Sequence, residues 1–157
     1  MKTMVGLILG VALLVGGGAA LAFDETDLKK LKALNACEGC DLSGADLYDA
    51  ALKGAKLKGA DLSKALLIGA NLEGADLSEV NLTGADLSGA ILRNADLSGV
   101  DLSEALLIGA GLQDADLSGS NLTGADLSVA SLENAKIKGA ILCKTVMPGG
   151  EDNSGCK

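Results

Sequence analysis

Apolar residues recur along this chain with a period of five. From Cys40 to Lys144 the sequence divides into consecutive pentads without one insertion, most often reading "ADLSG". If the central apolar residue is called i, it is Leu in every pentad from Leu42 to Leu142 except one, where Ile137 stands. Position i−2 is small, mostly Ala, with Cys40, Val80, Val100 and Ser120 as exceptions. Position i−1 is most often Asp or Asn, and i+1 and i+2 are mostly Ser, Thr, Gly or charged. Neither regular element tolerates this period. On an α-helix five residues advance ~500°, so successive Leu would walk around it in ~140° steps. On a strand the side chains alternate every two residues, and five is odd, so each Leu would change face. The pattern therefore requires a turn in every pentad, with i−2 and i inward and i−1, i+1 and i+2 outward. Gly at i+2 eases that turn. Turning at every pentad builds a solenoid.

The segment from Asp61 to Ala90 matches that from Asp101 to Ala130, an offset of eight pentads. Two coils of four pentads fit this offset, although other divisions fit it too. The tandem A-(D/N)-L-x-x phrase resembles the pentapeptide-repeat family throughout Cys40 to Lys144. The resemblance implies an all-β solenoid, a right-handed quadrilateral β-helix with four pentads in each coil. Residues 40–144 would then make about five coils, a rod roughly 25 Å long at the ~4.8 Å strand spacing.

Composition fits a narrow core. The chain has 22 Gly, one Phe, one Tyr and neither Trp nor His. A square core filled by one Leu and one small residue per side has no room for aromatics. The absence of His removes the imidazole base and the His metal ligand, so no Ser–His–Asp or Cys–His site can be assembled. No catalytic residue, cofactor-binding residue or metal site is expected. The formal net charge of −8 argues against nucleic-acid binding, which needs a basic footprint, and against anionic membrane surfaces.

The first 22 residues read as a secretory signal peptide. Lys2 is a short positive region, Met4 to Val15 are apolar, and Ala20-Leu21-Ala22 offers a small-x-small cleavage site before Phe23. Removing Lys2 would leave a charge of −9. Left uncleaved, the uncharged run from Thr3 to Phe23 is long enough to span a bilayer, which is the one route to a membrane association. Cleavage predicts an exported protein, in a periplasm, an equivalent lumen or the exterior.

Residues 23–39 are expected to form an N-terminal cap. "DETDLKKLKALNA" reads as a short helix, capped by Asp24 or Thr26, with Leu28, Leu31 and Leu34 on one face over the first coil. Residues 145–157 read as a turn-rich, aperiodic tail. Four cysteines behind a signal peptide are expected to form disulfides. Three connectivities are open to them. Cys37 and Cys40 lie at the first coil, Cys143 and Cys156 at the last. Disulfide Cα atoms lie within about 7 Å, which the implied rod forbids end to end unless the tail folds back. Cys37–Cys40 and Cys143–Cys156 are therefore expected, and similar terminal pairs recur in exported members of the resembling family. A redox C-x-x-C at "CEGC" lacks the surrounding βαβ pattern, and a zinc site would need thiolates from both ends.

Stacking in rows of four pentads lists what each side shows. At i−1 the first side presents Asp41, Asp61, Asn81, Asp101 and Asn121, and the fourth presents Lys56, Asp76, Asp96, Asp116 and Lys136. Stacked carboxylates suggest a divalent-cation column as one alternative; the commoner use of such an Asp is to bond its own turn. The second side departs from the rest, because the phrase becomes "ALLIG" twice. Leu66, Ile68, Leu106 and Ile108 then point outward, two coils apart, with Tyr48 at the same edge. These five residues form the candidate interaction face, unless the eight-pentad duplication merely copied one accident. The leading expectation is a non-enzymatic scaffold binding a protein partner, or a second copy, through a flat face. A DNA-mimic inhibitor is the other alternative. Some cytoplasmic members of the family that confer quinolone resistance resemble DNA and bind type II topoisomerase. This chain lacks their C-terminal dimerisation helix, and its signal peptide directs it away from DNA.

Overall fold

Each pentad up to Ile137 closes on itself by one backbone bond, while in the last one the Leu142 carbonyl accepts from the Gly155 N–H instead. The N–H that begins the next pentad donates to the carbonyl of residue i, as from Ala45 to Leu42, Ala90 to Leu87 and Ala125 to Leu122, each at 3.0 Å. The residue at i+2 takes a positive φ, 65° at Gly89 and 56° at Lys64, which is the backbone region that favours glycine. Asp or Asn at i−1 holds the turn from outside. Its Oδ1 accepts the N–H of residue i+1, at 2.9 Å from Ser63 to Asp61 and 3.1 Å from Glu73 to Asn71. The repeat phrase thus encodes a turn with a built-in side-chain clamp.

Each turn stacks on the turn four pentads away. Asp61 bridges Asn81 in parallel, Leu66 bridges Asp86, and the ladder continues from Ala36↔Lys56 to Asp126↔Val146. Each bridge is a single residue flanked by turns, so the wall is a ladder of isolated bridges rather than of long strands. Four pentads therefore make one coil. This computed structural model describes residues 23–157; residues 1–22, read above as a signal peptide, lie outside the described residues. Among the described residues no helix is long and apolar enough to cross a membrane.

The core is one continuous column of Leu at i and mostly Ala at i−2, buried from coil to coil. Ser120, polar at an i−2 position, is fully buried and donates its hydroxyl to the Leu117 carbonyl at 2.8 Å. That bond removes the cost of an unsatisfied hydroxyl in the core.

Helix α1 (Glu25–Leu34) lies over the first coil. Asp24 caps it by accepting from the Thr26 N–H at 2.7 Å, and Asn35 ends it in the left-handed region. Leu31 is buried and Leu28 is partly buried against the core, but Leu34 is 66% exposed. The expected three-residue apolar face therefore ends at Leu31. Leu34 sits in the last turn, next to the Asn35 cap where the chain leaves the helix for the first coil. The repeat also begins one pentad earlier than Cys40, since Ala36 already bridges Lys56 and Cys37 fills the inward i position.

At the other end the tail is more ordered than its composition suggests. Thr145 is fully buried, Val146 bridges Asp126, and Met147 packs on the core. "TVMPG" is thus a further pentad in disguise. Its first three residues, as strand β1 (Thr145–Met147), pair antiparallel with β2 (Gly150–Asp152). Among the described residues no further coil covers the last two sides, and Ile137, expected inward like every other residue i, is 41% exposed. The two disulfides close the ends: Cys37–Cys40 with Cα atoms 5.4 Å apart and Cys143–Cys156 at 4.7 Å.

Candidate interaction face

On three of the four sides some outward side chains bond from coil to coil. On side one, Asn81 Nδ2 donates to Asp61 Oδ1 at 3.3 Å and Asn121 to Asp101 at 3.2 Å. Alternating Asp with Asn converts a repulsive carboxylate stack into a hydrogen-bonded one. On side three, Lys53 pairs with Glu73 at 3.0 Å, and Arg93, Gln113 and Ser131 form a chain of bonds across coils. On side four, Lys136 pairs with Asp116 and Lys58 with Glu79, both at 3.3 Å.

Side two has no such bond among the described residues. Its i−1 column runs Asp46, Leu66, Asp86, Leu106, Asp126 and Val146, each bridged to the next. Leu66 is 44% exposed and Leu106 40%, with Ile108 similar, Ile68 half-buried and Tyr48 well exposed beside them. Their coil neighbours Leu67 and Leu107 keep the inward position and are fully buried. The five residues singled out from the sequence therefore share one side, and the structure adds two more. Val146 extends the column at the C-terminal end. Val129, 78% exposed, occupies an i+2 slot at φ 52°. A Cβ built on Gly109 would lie 4.0 Å from Val129 Cγ2, so this side chain leans back over the preceding coil at Gly109. A β-branched residue is strained at positive φ. The sequence signal was available, as Val is the one apolar residue at any i+2 position of the array.

The carboxylates of side two bind their own turns. Asp86 Oδ1 accepts from the Ser88 N–H at 3.0 Å and Asp126 Oδ1 from that of Ser128 at 2.8 Å. The Ser128 hydroxyl and N–H together hold the Asp126 carboxyl below the usual range. On side four the Ser78 hydroxyl does the same for Asp76, and Ser118 for Asp116. The stacked Asp columns are thus clamps first. Among the described residues the group of three potential metal ligands that converges is Asp27 with Cys37 and Cys40, whose sulfurs are joined in a disulfide. A cleft of about 270 Å³ opens between α1 and the first coil, lined by Leu31, Lys32, Asn35, Leu47 and Leu52. It brings together none of the candidate residues.

A sequence profile described as pentapeptide repeats matches this chain in eight copies, over residues 36–63, 55–94, 92–124 and 110–147. The chain belongs to the pentapeptide-repeat family. Among solved structures, it is similar to Rfr23, a pentapeptide repeat protein from the cyanobacterium Cyanothece 51142, at 33% identity and a TM-score of 0.56. That match covers 73% of this chain and 92% of the other. It is also similar to a pentapeptide repeat protein of the Arabidopsis thaliana thylakoid lumen, at 36% identity and a TM-score of 0.54. There 66% of this chain covers 65% of the plant protein, so the chain spans less than two thirds of that relative. No curated protein sequence matches significantly. Both structures are solenoid relatives, in keeping with the ladder described above.

Proposed function

We propose that this pentapeptide-repeat protein is an exported, non-enzymatic scaffold that binds a protein partner through side two. The observation that carries the reading is the stripe of Tyr48, Leu66, Ile68, Leu106 and Ile108 on the side that, among the described residues, has no side-chain bond between coils. Apolar side chains that neither fill the core nor brace neighbouring coils are free to be buried by something else. Two disulfides, the apolar leader of the sequence and the lumenal source of one relative support export. The lack of His and the commitment of the Asp columns to their turns support a role without catalysis.

The test is a double substitution, Leu66→Asp with Leu106→Asp. Asp is the residue these slots hold in neighbouring coils, at Asp46 and Asp86, so the fold should survive, as circular dichroism would show. Captured from the exported fraction without reduction, the native protein should retain a partner that the variant loses. Equal capture by both would refute side two as the binding face.

A further inference from the structure

Resting on that reading of side two, we infer that the partner docks there with a cationic amphipathic helix laid along the rod. Its apolar residues would be one heptad apart, with Lys or Arg on the turns between them.

The spacing comes from the column. Apolar Leu66, Leu106 and Val146 alternate with Asp86 and Asp126 at successive bridges. One coil is ~4.8 Å along the rod, so apolar anchors recur every ~9.6 Å with a carboxylate midway. A helix rises about 10.5 Å per heptad and 5.4 Å per turn, which places an apolar residue on each anchor and the next turn against each carboxylate. An extended strand does not fit. It climbs ~10 Å in three residues, an odd number, so every second anchor would face away. From Leu66 to Val146 is four coils, about 19 Å, or some 13 helical residues.

The sign comes from the side's charge. The pentads of side two contain Asp46, Asp49, Asp86 and Asp126 and no Lys or Arg. At Asp86 and Asp126 the turn uses Oδ1, and Oδ2 accepts no bond from the described residues. These oxygens are outward acceptors without a cation on their own side. A second copy of the chain is the poorer occupant. Any register that sets Leu on Leu across two such stripes also sets Asp on Asp, because both alternate with the same period. Shifting by one coil sets Leu against carboxylate instead.

The probe is a 15-residue helical peptide with Leu at heptad spacing and Lys on the intervening turns, beside a twin with Glu for Lys. Binding to the purified, disulfide-intact protein is followed by calorimetry at low and high salt. The Lys peptide should bind, the Glu peptide should not, and salt should weaken the complex. Asp86→Asn with Asp126→Asn should weaken it about threefold to tenfold. Asn fills the same slot at Asn71 and Asn121 with the same Oδ1 bond, so this variant removes charge and keeps the turn. Leu66→Asp with Leu106→Asp should abolish binding. Equal binding of both peptides, or indifference to the Asn variant, would overturn the cationic helix. So would self-association through Leu66 and Leu106 in sedimentation, which would name a second copy as the occupant. If no peptide binds while capture of the exported partner still depends on Leu66 and Leu106, this inference fails and the interaction face stands. If that capture is itself indifferent, the face reading fails too.

Discussion

Leu97 and Ile137 occupy the same repeat position in the same inward column, two coils apart, and they should respond differently to truncation. Leu97 is fully buried, as are Leu77 below it and Leu117 above. Leu97→Ala removes three carbons, about 2.4 kcal/mol at ~0.8 kcal/mol per buried methylene. Rigid coils on both sides cannot collapse into the gap, and the residual cavity raises the loss to about 3–4 kcal/mol. Ile137 ends the column and is 41% exposed, so about 60% of the transfer term applies and solvent fills the space. Ile137→Ala should therefore cost only about 1–1.5 kcal/mol. Equilibrium unfolding in urea, with disulfides intact and followed by circular dichroism because the chain has no Trp, measures both. The slope with denaturant must stay constant, since a solenoid can unfold coil by coil. If Leu97→Ala cost no more than Ile137→Ala, the coil-on-coil burial of this column would be refuted.

Val129→Gly should raise stability by about 1 kcal/mol, because it relieves a β-branched residue held at φ 52°; a loss in urea unfolding would show that the side chain supports the fold. Gly155→Ala should free the tail, since a Cβ there would meet the Leu142 nitrogen at 2.6 Å. Faster proteolysis after residue 144 with the central coils intact is the expected readout, and an unchanged rate would argue against that close approach. Asp76, Asp116 and Asp126 are held below the usual carboxylate range by Ser hydroxyl and N–H groups. Groups depressed in the fold stabilise it above their unfolded pKa of about 3.9, and this contribution is lost as pH falls through the folded value. The melting temperature should hold from neutrality to about pH 5 and decline below about pH 4. A triple Asn variant at these positions should decline less, and an equal decline would place acid sensitivity elsewhere.

The five-residue period made the solenoid and its inward Leu legible, because no other backbone keeps residue i on one side. Ile137 was not legible, since its exposure depends on which coil follows rather than on its own pentad. Thr145-Val146-Met147 does not read as a pentad, because Met replaces Leu and Pro148 follows, although the small-x-apolar spacing after Leu142 is present. Leu34 failed for a different reason: helical periodicity sets a face, while the Asn35 cap sets where the chain departs from it. The outward Leu and Ile of side two could be listed from the four-pentad stacking. That this side lacks braces among the described residues could not, because it depends on which side chains reach across coils, such as Asn81 to Asp61.

The chain carries two clocks. Its inward identity repeats with every pentad, and its outward identity repeats with the four-pentad coil. Loss of one pentad would keep every Leu in register with the core and still swing all later faces by a quarter turn. A loss between Ile68 and Leu106 would take Leu106 and Ile108 out of the column of Leu66 and Ile68. The Leu core is blind to such an event, and anything that reads a face, the cross-coil braces included, is not. The apolar stripe alternates coil by coil, so even the gain of one whole coil would put it out of phase. The smallest copying step that extends it intact is eight pentads, the interval at which the sequence resembles itself.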